Sequence, residues 1–183
     1  ERMGATVRFF WGSSREVASR TRPVVRASSD SASPSLPRLS APRYTQTAFP
    51  PYRHIEGETP HPTLHPEGHS REFHFHPPPV ARPVAPDAWR ESPEYLFGVD
   101  LYNHGFWWEC HESIEALWQT TDKRGPQGRF LQGLIQVAAA HIKLHVRRPR
   151  GVAHYLERSI GYLEFARDAS DRHEFMGLDL DAF

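Results

Sequence analysis

The stretch Phe106-Trp107-Trp108-Glu109-Cys110-His111-Glu112-Ser113-Ile114-Glu115-Ala116-Leu117-Trp118 decides the reading of this chain. On a helix turning about 100° per residue, Trp107, Ile114, Trp118, Cys110 and Leu117 make one broad apolar side. His111 and Glu115 stand beside it, one turn apart, and Glu112 and Glu109 turn toward the polar side. An imidazole and a carboxylate at the edge of a tryptophan-rich face are costly to bury without partners. What satisfies them is the main functional question.

The rest of the second half supplies helices for this one to pack on. Ser92-Pro93-Glu94 reads as an N-cap, a first-turn proline and a first-turn acid, so a first helix is predicted from Pro93 to about Asn103. Asn103-His104-Gly105 breaks it, and the quoted helix follows to about Thr120. Pro126 opens a third helix running to Val146. It is apolar nearly all round, so it should be the central, buried one. Its exceptions, Gln132, Gln136 and Lys143, share a face, and Gly133 with Ala138 to Ala140 lets a neighbour come close. A fourth helix is expected from about Val152 to Ala169, with Tyr155, Leu156, Ile160 and Leu163 at core spacing. Met176 to Phe183 reads as the start of a last short helix. The expected fold is an all-α, compact four- to five-helix bundle over residues 91–183.

The first half is different. Fifteen of the 17 prolines precede residue 94. Residues 1–43 are rich in Arg, Ser, Ala and Pro without helical or strand period, and read as a disordered tail. An organelle transit peptide has similar composition, and a mistaken start is a further reading. Residues 44–90 read as an extended Pro/His-rich arm laid over the bundle. Its histidines, six between His54 and His76, offer a second reading as a weak metal-binding tract.

Composition narrows the function classes. Net charge is zero; residues 1–90 carry 12 Lys+Arg against 8 acids, and residues 91–183 carry 10 against 14. Neither half is unbalanced enough to argue for DNA or a membrane surface. Lys143 to Arg150 reads as a solvated helix end, so nucleic acid is not an expected partner. No apolar run reaches the roughly 18 residues of a membrane span, and the expectation is a soluble, cytoplasmic protein. The single cysteine, Cys110, excludes an internal disulfide and a multi-cysteine zinc site.

Two readings of the motif stay open. In one, His111 and Glu115 are ligands to a divalent metal (Zn, Mn or Fe), with Glu109, Glu112, His104 or His141 as further ligands. Glu112 and Glu109 are then the acid/base residues of a metal-assisted hydrolysis. Asn103, Trp118, Gln132 and Gln136 would line a small-molecule ligand pocket. In the other, the protein is a non-enzymatic helical interaction module. His111 and Glu115 then bond each other and the Gln132 and Gln136 amides in a structural network. Whether the chain is an enzyme, and whether it self-associates as a homo-oligomer, the residues leave undecided.

Leu101-Tyr102-Asn103-His104-Gly105-Phe106-Trp107-Trp108-Glu109-Cys110-His111-Glu112, with Glu115 and Trp118 following, resembles the prokaryotic family called domain of unknown function 309. That family's signature is a histidine, three residues, a glutamate, two residues and an aromatic, here His111, Glu115 and Trp118. Phe130-Leu131-Gln132-Gly133-Leu134-Ile135-Gln136 and the alanine run resemble its second block. The likeness covers about Pro93 to Asp168, and Tyr44 to Ser70 resembles an extension found in one branch. Cys110 departs from the alanine usual there. The resemblance implies an all-α bundle and a metal role for His111 and Glu115, with no established substrate.

Overall fold

The computed structural model describes residues 41–75 and 80–182. The reading of the first 40 residues therefore lies outside the described residues. Four long helices build the body: α2 (Pro93–Asn103), α3 (Trp107–Trp118), α4 (Pro126–His145) and α5 (Pro149–Ser170). Ahead of them come a one-turn helix, α1 (Glu72–Phe75), and a 3₁₀ turn, Pro86–Glu91. The all-α expectation holds for the body of the protein. No helix of the described residues is long and apolar enough to cross a membrane.

Local chemistry sets the helix ends. Ser92 Oγ accepts the Tyr95 amide at 3.1 Å, and a proline at the first turn opens each of α2, α4 and α5. Between α2 and α3 the Gly105 amide bonds Tyr102 O and the Phe106 amide bonds Leu101 O. This pair needs a left-handed residue, supplied by Gly105 at φ +81°. It closes α2 and starts α3 within three residues.

Helix α4 is central, packing most extensively on α5 and then on α3. Gly133 lets α5 approach closely: a Cβ there would stand 2.7 Å from Leu163 Cγ. Ser159 Oγ donates to Gly133 O at 3.0 Å across the same contact. This fixes which side of α5 faces inward. Ser159, Leu163 and Ala166 are buried, whereas Ile160, expected in the core, is 57% exposed. Ile160 lies about 100° round the helix from Ser159, so the close α4 contact turns it outward.

The expected last helix is instead a two-stranded hairpin, β1 (Glu174–Phe175) and β2 (Leu178–Asp179), antiparallel with Phe175 opposite Leu178. Its turn puts Met176 at φ 47° and Gly177 at φ +81°, the two positive values a tight hairpin turn requires. Phe175, Met176 and Leu178 are buried, and Phe175 meets Phe130 at 5.1 Å between ring centres. The Tyr95 hydroxyl donates to Met176 O at 2.9 Å. Trp89 of the 3₁₀ turn closes this end of the core, so the core begins before residue 91.

The arm lies across α2 and α3, and Tyr44 and Phe49 pack on the core. Phe49 stacks on Phe106 at 4.9 Å and meets His104 at 4.9 Å. It is less extended than its prolines suggest. Turns close over Ile55–Thr59 and His61–Ser70 through main-chain bonds such as Thr59 N to Ile55 O and Ser70 N to Pro62 O.

Candidate functional site

Helix α3 brings three of the expected residues together. His111 Nε2 lies 3.4 Å from Glu115 Oε2, the spacing that one helical turn imposes. Glu112 stands exposed beside them. One donor atom from each of His111, Glu112 and Glu115 lies within 4.8 Å of the others. Among the described residues these are the group of three close enough to share an ion.

The site's electrostatics follow from its half-buried position. Burial lowers the His111 pKa from its ordinary value, against the opposing pull of Glu115. Its Nδ1 is buried and makes no hydrogen bond. Glu112 is shifted upward, first by desolvation and then by the Glu115 and Glu109 charges. The neutral imidazole that results keeps a nitrogen lone pair to offer, and Glu112 is the carboxylate readiest to take a proton.

The other expected residues go elsewhere. Glu109 is buried and turned to the arm, where its Oε1 accepts the His54 amide at 2.7 Å and His69 Nε2 at 3.0 Å. Its Oε2 is buried without a partner. Asn103 is buried in the last turn of α2. Trp118 lies under Lys123 Nζ, 4.3 Å from the ring centre, and its indole nitrogen makes no hydrogen bond. Gln132 accepts from Arg129 at 3.2 Å. No hydrogen bond joins Gln132 or Gln136 to His111 or Glu115 among the described residues. His104 and His141 are also engaged: His104 Nδ1 with Asp100 O at 2.8 Å, His141 Nε2 with the Tyr102 hydroxyl at 3.0 Å. Trp107 stacks on His141 at 4.9 Å, and burial pulls this imidazole down to about 4.

Among the described arm residues His61 and His65 are turned into their own loops, while His69 bridges its loop and Glu109. His61 Nδ1 accepts the Thr63 and Leu64 amides, both at 3.3 Å, and His65 Nδ1 accepts the Glu67 amide at 3.1 Å. His69 Nδ1 meets Ser70 Oγ at 2.9 Å.

One residue of consequence was not singled out from the sequence. Asp100 is fully buried, and all its charge is spent on the arm. Its Oδ1 accepts the Tyr44 amide at 2.7 Å. Its Oδ2 accepts Arg43 Nε at 3.1 Å, the Thr45 amide at 2.8 Å and the Thr45 hydroxyl at 2.7 Å. The signal was an acid inside the apolar run Val99-Asp100-Leu101, on a helix face that must be buried. Arg43, read as tail, belongs with the arm.

Residues 95–155 match a family model described as Domain of unknown function (DUF309). The match runs from α2 into α5 and includes His111, Glu115, Trp118, Gln132 and Gln136. No curated protein and no solved structure matches the chain.

Proposed function

We propose that this DUF309-like helical core holds a divalent cation on α3 through His111, Glu112 and Glu115, and that the reaction class it serves is metal-assisted hydrolysis. The observation that carries the reading is the placement of three donors on one helix face, within 4.8 Å of one another. One imidazole and two carboxylates make a mixed nitrogen and oxygen set suited to zinc, manganese or iron. Glu112 is exposed, so the outer side of the site is open to a substrate. An ion there would supply Lewis acidity toward a carbonyl or phosphoryl oxygen.

The chain's own residues divide the remaining work. His111 and Glu115 are fixed by the helical repeat and orient whatever binds between them. Glu112 is the exposed member, and when it is not bound to the ion it would serve as the proton acceptor and donor. Glu109, committed to the arm, has no part in this scheme.

Elemental analysis of the purified, untagged protein tests the reading, paired with His111→Ala and Glu115→Gln. The expected result is near-stoichiometric zinc, manganese or iron in the parent. Either substitution should weaken uptake by more than about 100-fold, because even groups that only support a ligand are worth 10- to 100-fold. Melting temperature should change little. No uptake by the parent from any of the three ions would sink the proposal. A large loss of stability in His111→Ala, without metal in either protein, would favour the interaction module.

A further inference from the structure

Helices α4 and α5 carry a second feature, an open groove of about 370 Å³ lined by Arg129, Arg158, Gly161, Tyr162 and Phe165. Arg129 comes from the start of α4. The other four lie three, four and seven residues apart on α5 and so form one stripe. Among the described residues Arg43, Arg82, Lys143, Arg148, Arg167 and Arg172 are each paired with a carboxylate. Arg129 and Arg158 have none among the described residues. Arg129 reaches the neutral Gln132 amide oxygen at 3.2 Å, and Arg158 the Tyr162 hydroxyl at 2.7 Å.

The aromatic rings beside them are open. The Arg129 and Arg158 guanidinium carbons stand 5.3 and 5.5 Å from the Tyr162 ring centre, and Arg129 is 5.8 Å from Phe165. Closed stacks in the same molecule are much tighter, 3.8 Å for Arg43 on Phe49 and 4.1 Å for Arg90 on Trp89. Phe165 is 45% exposed, and a side chain at Gly161 would meet no atom within 4 Å. Two arginines without a carboxylate partner thus converge on a half-buried Tyr162 and an exposed Phe165.

We infer that this groove binds a nucleoside monophosphate, its phosphate on Arg129 and Arg158 and its base on Tyr162 and Phe165. A guanidinium presents paired donors matched to phosphate oxygens. Aromatic faces stack any base, and arginine adds to such stacking. The size and surroundings favour a single nucleotide over a nucleic-acid strand. The groove holds one aromatic pair, room for a single base. This site stands apart from the cation site on α3 and does not depend on it.

The test is a calorimetric titration of the full chain with adenosine monophosphate in the presence of EDTA, which removes any contribution from a metal on α3. Adenosine and inorganic phosphate are the controls. Adenosine monophosphate should bind at least about tenfold more tightly than either half alone. Arg158→Gln and Arg129→Gln should each weaken it about tenfold or more, one lost charge-assisted hydrogen bond. Tyr162→Leu should weaken adenosine monophosphate while leaving phosphate alone unchanged, and His111→Ala should leave the affinity as it was. Arg158 is on the surface, so circular dichroism should report an unchanged fold. Affinity undiminished in Arg158→Gln would overturn the inference, as would a Kd no better than about 1 mM for the parent. Much tighter binding of a single-stranded oligonucleotide would also overturn it, in favour of a strand-binding surface.

Discussion

Asp100→Asn tests the idea that the arm is held by a buried charge. The replacement has the same shape, so it creates no cavity. Its best orientation keeps the amide oxygen toward Arg43 Nε and the Thr45 amide and hydroxyl, the three donors that now share Oδ2. The amide nitrogen then faces the Tyr44 N–H, donor against donor, where Oδ1 now accepts at 2.7 Å. A buried donor left unsatisfied costs about 1–3 kcal/mol, and each bond that loses its charge gives up about 1 kcal/mol. The sum is about 4–6 kcal/mol, enough to open the arm locally while the bundle stays folded. Hydrogen exchange reads this directly. Tyr44 and Thr45 should lose about 10³- to 10⁴-fold in protection, with the amides of α4 as the internal reference. Unchanged protection at Tyr44 and Thr45 would refute the reasoning. Equal loss in the arm and in α4 would refute it too, since the charge would then belong to the global core.

Four further outcomes follow from two left-handed glycines and two buried titratable groups. Gly177→Ala places a Cβ 2.7 Å from Trp89 Cη2 at a left-handed residue, and should cost about 2–4 kcal/mol in denaturant unfolding. Gly57→Ala, at φ +84° with nothing within 4 Å, should cost only the backbone part, about 1–2 kcal/mol. His141 has a folded pKa of about 4 against an ordinary 6.5, so the unfolded chain takes up its proton first as pH falls. Stability is then full above pH 6.5 and drains toward pH 4 by up to about 3 kcal/mol. The lowered His54 and His111 act in the same direction, and the raised Glu112 against them. Melting curves from pH 7.5 to 4.5 should show a shallower slope in His141→Phe. Burial also pushes the Cys110 thiol up, so a thiol reagent should label it in denaturant and not in the native protein.

Much of the architecture could be read from local chemistry. Ser92-Pro93 and Pro126 mark two helix starts that the structure keeps, the fourth helix opens at Pro149 three residues before the expected Val152, and the apolar run after Arg129 marks the central helix. The His111–Glu115 spacing was equally legible, because it needs no information beyond the helical repeat. What was not legible depended on partners distant in the chain. Asp100 and the Oε1 of Glu109 accept main-chain amides of Tyr44, Thr45 and His54, and nearly every residue type carries that donor. The side of α5 that faces inward was set by Gly133 on another helix, so Ile160 looked as apolar as Leu163 until that contact was known. The hairpin was missed because Met176 is an unusual residue at φ 47°. Trp89 and Tyr95, both far upstream, hold it there.

That hairpin also bears on synthesis. The Tyr95 hydroxyl waits for a carbonyl 81 residues later in the chain, and Phe130 waits for Phe175. While the ribosome is still making α5, the helices already released therefore expose Trp89, Tyr95 and Phe130 as a raw aromatic face. Chains stalled before residue 175 should be chaperone clients and protease substrates, and release of the next few residues should end that exposure in one step.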